Sequence, residues 1–176
     1  VETLANIPLI ILNGAEWFLK LGLPKDGGTR IFGVSGMVRS PGIYELPLGT
    51  SLREIIFTHA GGMMEGKTLK AVIPGGMSAP VLTADEIDVR MDFDSLASAN
   101  SMLGSAAVIV IDDETPILQV LKLDPKFYSH ESCGQCTPCR IGTSWINKIV
   151  KRIDEGKGRI EDLDTIIRLA SNIKGK

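Results

Sequence analysis

The run VSGMVRSPGIYELPLGTSLREII, Val34 to Ile56, compresses strand, turn, strand and helix start into one stretch. Upstream it continues the β-rich TRIFGVSGMV from Thr29, and after RSPG (Arg39 to Gly42) comes a second β-rich run, GIYELPLGT. Two such runs around a proline-glycine turn predict a hairpin. Ser51 then stands three residues before Glu54, a capping-box spacing that predicts a helix over LREIIFTHAGG stopped by Gly61 and Gly62. Further on, LKAVIP (Leu69 to Pro74) predicts a strand and Asp92 to Asn100 a short helix, while AAVIVI (Ala106 to Ile111) has the unbroken apolar character of a buried strand. A hairpin, a helix and further strands within one domain predict an α+β fold with the helix laid on one face of a sheet.

Composition bounds the rest. The chain has 176 residues, 44% of them apolar, and a net charge of −2. With no excess of Lys and Arg there is no sequence-independent attraction to nucleic acid phosphates, so nucleic acid is not an expected partner. The apolar run from Ile7 to Leu12 is interrupted by Pro8 and is far too short to span a bilayer, so direct membrane insertion is not expected.

Both flanks read as helical. In Val1 to Gly22, Leu4, Ile7, Ile11, Ala15, Phe18 and Leu19 recur at three- and four-residue steps, predicting an apolar face that packs on the following domain; Pro8 and Gly14 predict a bent or two-part helix. LPKDGGT, Leu23 to Thr29, is the linker. After Asp112, Thr115–Pro116 and Asp124–Pro125 each look like a helix start, which predicts two short helices. Thr143 to Glu155 and Ile160 to Ile173 predict an antiparallel pair, the second with Leu163, Ile166, Ile167, Ala170 and Ile173 inward and the charged sides solvated. The expected parts are residues 1–28, a helix plus linker; 29–113, the α+β domain; and 114–176, a helical bundle.

Chemistry concentrates in FYSHESCGQCTPCRIGT, Phe127 to Thr143, which holds all three cysteines, Cys133, Cys136 and Cys139, spaced C-x2-C-x2-C. That spacing opens the thiolate pattern of a 4Fe-4S cluster. Thr137 as cap and Pro138 at the first helical position would set Cys139 in a first turn, where unpaired amides and the dipole favour thiolate. Arg140 and Lys126 could add positive charge. His130 with the three cysteines would instead make a Cys3His set that zinc accepts. A metal-free protein-interaction module with idle or disulfide-linked thiols is the remaining alternative. His59 has no evident catalytic partner, Gly36, Gly61, Gly62, Gly75 and Gly76 read as backbone positions, and no phosphate-binding glycine loop is present.

Two resemblances sharpen this. VSGMVRSPGIYELPLGTSLREII resembles the soluble-ligand-binding β-grasp (SLBB) family, which implies a ubiquitin-like fold. ESCGQCTPCRIGT, Glu131 to Thr143, resembles the cluster-binding signature of the flavoprotein NADH-binding subunit of respiratory complex I and of its relatives in NAD-linked hydrogenases and formate dehydrogenases. VETLANIP resembles the end of that family's flavin-binding domain. The resemblance implies a parent NADH:quinone oxidoreductase subunit in which NADH reduces FMN and a 4Fe-4S cluster carries single electrons onward to other electron-transfer subunits, peripheral to the membrane on its cytoplasmic side. It further implies Cys133, Cys136 and Cys139 as three of four cluster ligands and Thr3 at a position that helps hold the FMN phosphate. The family's fourth cysteine, its nucleotide-binding glycines and its paired asparagines do not appear, so the expectation is an interior fragment, inactive alone towards NADH. The family pattern also implies an unbroken helix ahead of ESCG, which Asp124–Pro125 does not.

Overall fold

The computed structural model describes residues 1–174; Gly175 and Lys176, the end of the expected helical part, lie outside the described residues. The chain divides into two units, one from Val1 to Glu114 and one from Thr115 onward.

In the first unit, β1 (Thr29–Gly36) and β2 (Gly42–Pro47) form the antiparallel hairpin. β3 (Leu69–Ile73), β4 (Leu82–Thr83) and β5 (Ala107–Asp112) complete a five-stranded sheet in the order β2-β1-β5-β3-β4. β5 lies centrally, parallel to β1 and antiparallel to β3, which is why its sequence is apolar at consecutive positions rather than alternating. The short β4 and the single helical turn at Ala84–Glu86 carry no periodic signal in the sequence; they are held by a Thr83–Glu86 capping box.

The helix that covers the sheet starts as expected and then changes pitch. Ser51 Oγ accepts a hydrogen bond from the Glu54 amide, opening α3 (Leu52–Glu54). From Ile55 to His59 the turn widens to a π-helix, and the Ala60 amide donates to the Ile55 carbonyl. This wider turn keeps Ile55 and Ile56 both fully buried with Leu52, so three near-consecutive apolar side chains meet Phe32, Val72, Val108 and Val110 of the sheet. Burial of each such side chain is worth about 1.5–3 kcal/mol. Asp92 caps α4 (Phe93–Ser98) by accepting from the Ser95 amide at 2.7 Å, and Leu96 completes the core from there.

The N-terminal helix departs from its predicted packing. It breaks into α1 (Glu2–Asn13) and α2 (Ala15–Lys20) at Gly14, whose φ of +86° no helix accommodates, while Pro8 is carried inside α1. Leu4, Ile7, Ile11 and Leu19 are exposed, and α1 buries no residue. The face turned inward holds Glu2, Asn6 and Ile10 instead. Polar anchoring selects it: Glu2 Oε1 accepts from the Ile31 amide at 2.9 Å and Asn6 Nδ2 donates to the Glu2 carbonyl.

In the second unit, α5 (Ile117–Glu131) is one helix, not the two predicted, with Pro125 inside it. Proline forfeits one helical bond, but here its ring is buried, and α5 packs on α6 (Thr137–Asp154), with Lys122 Nζ meeting Asp154 Oδ2 at 2.5 Å. The neighbouring Asp124 carboxyl is raised above its usual range by burial. α6 packs in turn on α7 (Glu161–Ile173).

The inward face of α7 also differs from the prediction. Leu163, Ile167 and Ala170 are exposed, whereas Asp162 is buried and Ile166, Leu169 and Ile173 are half-buried. The carboxylate turns the helix: Asp162 Oδ2 accepts from the Arg159 amide at 2.9 Å, and the group pairs with Arg152 of α6. The charged sides of this pair are therefore not simply solvated. These bonds, the Arg159 amide first, hold the Asp162 pKa below its ordinary 3.8. A depressed carboxylate contributes stability that is present above the unfolded pKa and lost as pH falls through the folded one. Acidification below about pH 4 should therefore lower the melting temperature. Asp162→Asn should melt lower at neutral pH and flatten that acid limb; an unchanged limb would assign the acid sensitivity elsewhere.

Candidate metal centre

Between the end of α5 and the first turn of α6, local chemistry shapes the cysteine loop residue by residue. α5 ends at Glu131, and Ser132 caps it with a non-helical backbone (φ −58°, ψ 124°) that turns the chain. Gly134 follows with φ +78°, a conformation that side chains resist. Cys136 is the N-cap of α6; Thr137 and Pro138 are its first two residues, and Cys139 is its third. The cap falls one residue earlier than predicted, on Cys136 rather than Thr137, because proline suits either of the first positions, which need no amide bond.

The three thiols are all free, Cys133 and Cys136 exposed and Cys139 half-buried. They are not joined as a disulfide. Among the described residues no group of three or more His, Cys, Asp or Glu side chains converges in a metal-holding arrangement, so the thiols stand on one loop without forming a closed cage. His130, on the last turn of α5, is strongly exposed, with Nδ1 2.8 Å from Glu131 Oε1, and is not gathered with the cysteines.

Around the loop is a shell of bonds. Ser132 Oγ lies 3.5 Å from Cys139 Sγ and accepts from the Gly134 amide at 3.3 Å. Arg140 folds back over the loop, donating from Nη1 to the Gly134 carbonyl at 2.5 Å and from Nη2 to Thr137 Oγ1 at 3.4 Å. Thr143 Oγ1 donates to the Cys139 carbonyl at 2.7 Å. Arg140 was legible as a charge near the thiols; the part of Ser132 was not, and a hydroxyl beside a thiolate motif is the only signal it offers. Lys126 is exposed and has no charged partner among the described residues.

The donor set suits iron and sulfide in kind. Three reduced thiols at C-x2-C-x2-C spacing, beside a helix N-terminus and a guanidinium, supply soft anionic ligands in a positive field. They supply three ligand positions, and the chain has three cysteines in all.

Thr3 belongs to the first unit. It is exposed on the first turn of α1 and lines a cavity of about 320 Å³ with Asn6, Ile10, Phe18 and Arg30. Arg30 Nε is buried there with no hydrogen-bond partner among the described residues, although Nη1 lies 3.9 Å from Glu2 Oε2. His59 pairs with Glu54 at 3.6 Å, and its ring centroid lies 6.3 Å from that of Tyr44. Gly75 is structural: a Cβ there would stand 2.3 Å from the Met102 carbonyl oxygen. None of the described helices is long and apolar enough to cross a membrane.

Comparison with known proteins agrees with these features. Residues 120–176 match the family described as the NADH-ubiquinone oxidoreductase-F iron-sulfur binding region, and residues 31–82 match the SLBB domain. The chain is 50% identical over 175 residues to the second F-type subunit of NADH-quinone oxidoreductase from Rhizobium meliloti (strain 1021), covering 99% of this chain and 42% of that protein. To the F-type subunit of NADH-quinone oxidoreductase from Escherichia coli (strain K12) it is 42% identical over 169 residues, covering 96% and 38%. A chain of an NAD+-reducing [NiFe]-hydrogenase solved in the air-oxidized state superposes with a TM-score of 0.83 at 33% identity, over 98% of this chain and 29% of that one. The chain thus spans less than half the length of these relatives. Residues 31–82 are thus similar to an SLBB domain and residues 120–176 to an NADH-ubiquinone oxidoreductase-F iron-sulfur binding region, and along nearly all its length the chain is similar to part of the F-type subunit of NADH-quinone oxidoreductase.

Proposed function

We propose that this chain is the electron-exit portion of an NADH-quinone oxidoreductase flavoprotein subunit, with Cys133, Cys136 and Cys139 as three ligands of a 4Fe-4S cluster. The observation that carries the reading is the set of three reduced thiols on one loop and first helical turn, inside the region matched to the iron-sulfur family. Such a cluster, when bound, accepts and releases one electron at a time. The chain's own residues do the rest. The thiolates bind the metal in deprotonated form, the first-turn amides of α6 favour negative charge, and Arg140 fixes the Gly134 carbonyl while adding a positive charge.

In the whole protein, NADH would pass hydride to FMN, with Thr3 near the FMN phosphate, and electrons would leave for other electron-transfer subunits of a complex I-like or NAD-linked hydrogenase or dehydrogenase assembly. The three parts would be the end of a flavin-binding domain (residues 1–28), the β-grasp domain (29–113) and the cluster-binding helices (114–176). The assembly would sit peripherally on the cytoplasmic face of a membrane. Of the two rival readings, a metal-free docking module and a Cys3His zinc site, the zinc site has less support, since His130 pairs with Glu131 and is exposed.

Anaerobic addition of NADH to the full-length protein should bleach the flavin absorbance and then produce a low-temperature paramagnetic signal from a reduced cluster. Flavin bleaching without that signal, in protein shown to contain iron and sulfide, would detach the cluster from the NADH pathway.

A further inference from the structure

We infer that Ser132 is a positioning residue for the cluster: its hydroxyl donates to the Cys139 sulfur and raises the cluster's reduction potential. The inference rests on the cluster reading above and deepens it. Cys139 is the half-buried thiol of the three, and Ser132 Oγ lies 3.5 Å from its sulfur. A ligating thiolate carries no proton, so in the loaded site only the serine can donate. The oxygen is already an acceptor from the Gly134 amide at 3.3 Å, which leaves its own proton directed to another acceptor. Gly134 is fixed in turn, because its carbonyl accepts from Arg140 Nη1 at 2.5 Å. Arg140 thus holds in place the residue whose amide donates to Ser132, and that bond leaves the serine proton for the sulfur.

Among the described residues, neither Cys133 nor Cys136 has a hydrogen-bonding side-chain partner, so the three sulfurs are not equivalent. A one-electron reduction adds negative charge that is shared with the sulfurs. A donor at one sulfur stabilises the reduced form more than the oxidised form, with no O–H bond broken and no proton transferred.

The test is a redox titration of the cluster-loaded full-length protein, followed by low-temperature electron paramagnetic resonance. Ser132→Ala should lower the reduction equilibrium constant about tenfold, which is about 59 mV for a one-electron couple. Ser132→Thr, which keeps the hydroxyl, should restore it. Arg140→Lys keeps the charge but loses the two-pronged hold on Gly134 and Thr137, and should fall between the two. Coincident titration curves for the unsubstituted and Ser132→Ala proteins would overturn the inference. Should Ser132→Ala fail to retain its cluster, Arg140→Lys decides: a severalfold drop supports the hydroxyl held in place through Gly134, and an unchanged curve overturns it. Absence of iron and sulfide from the unsubstituted protein would instead remove the cluster reading, and this inference with it.

Discussion

Replacing Cys136 with serine in the full-length protein is expected to abolish the paramagnetic signal of the reduced cluster and bring bound iron down to background. On the proposed ligation three of the four ligand positions would come from one short loop, so losing one thiolate would remove a covalent attachment that neither flanking helix can replace. Serine keeps the size of the side chain but offers a hard oxygen in place of a soft sulfur. The same loss is expected for Cys133→Ser and Cys139→Ser. His130→Ala separates this account from zinc ligation: it should leave iron content unchanged, whereas a Cys3His site would lose its metal. Because α5, α6 and α7 pack through contacts outside the loop, helical content measured by circular dichroism should persist in all four variants. Retention of the signal by any one cysteine variant would take that residue out of the ligand set.

The second large effect belongs to the sheet. Gly36 ends β1 with φ +92°, opposite Val110 of the parallel neighbour β5, and a Cβ there would lie 2.1 Å from the Val110 carbonyl oxygen and 2.8 Å from its nitrogen. That carbonyl accepts from the Met37 amide at 3.0 Å, so the backbone cannot yield without loosening the ladder. The left-handed conformation costs a non-glycine residue about 1–2 kcal/mol, and overpacking adds about 1–3 kcal/mol. Gly36→Ala should therefore destabilise the protein by roughly 3 kcal/mol or more in denaturant unfolding. Gly33→Ala, three residues earlier in the same strand where a Cβ meets nothing within 4 Å, should change stability by less than about 1 kcal/mol. Equal effects at the two positions would refute the steric account.

These residues also mark what the sequence could disclose. The hairpin, the Ser51 cap and the central strand β5 were legible because turn chemistry, a side-chain cap and an unbroken apolar run are local signals. The role of Gly36 was legible only as a backbone glycine; that it is required by the approach of Val110 depends on pairing with a strand more than seventy residues away. The widened turn at Ile55 leaves no mark in sequence, since its cause is the demand to bury Ile55 and Ile56 together. Pro125 misled because local chemistry predicts a helix start, whereas burial of its ring favours continuity. The faces of α1 and α7 misled for a common reason. In each, a carboxylate, Glu2 or Asp162, finds amide and guanidinium partners that outweigh the apolar stripe, and periodicity counts do not see such partners.

At the candidate metal centre the division is similar. The spacing of Cys133, Cys136 and Cys139 and the placement of Cys139 in a first turn follow from residues adjacent in sequence. The contacts of Ser132 and Arg140 required the folded loop, because the chain must reverse at Gly134 before either side chain reaches its partner.

The most direct measurement is the content of iron, acid-labile sulfide and zinc in the full-length protein, purified without oxygen. Four irons and four sulfides per chain beyond those of any other cluster, lost together in Cys136→Ser, is the result this account predicts. Stoichiometric zinc without sulfide, or metal-free protein of unchanged fold and partner binding, would contradict it.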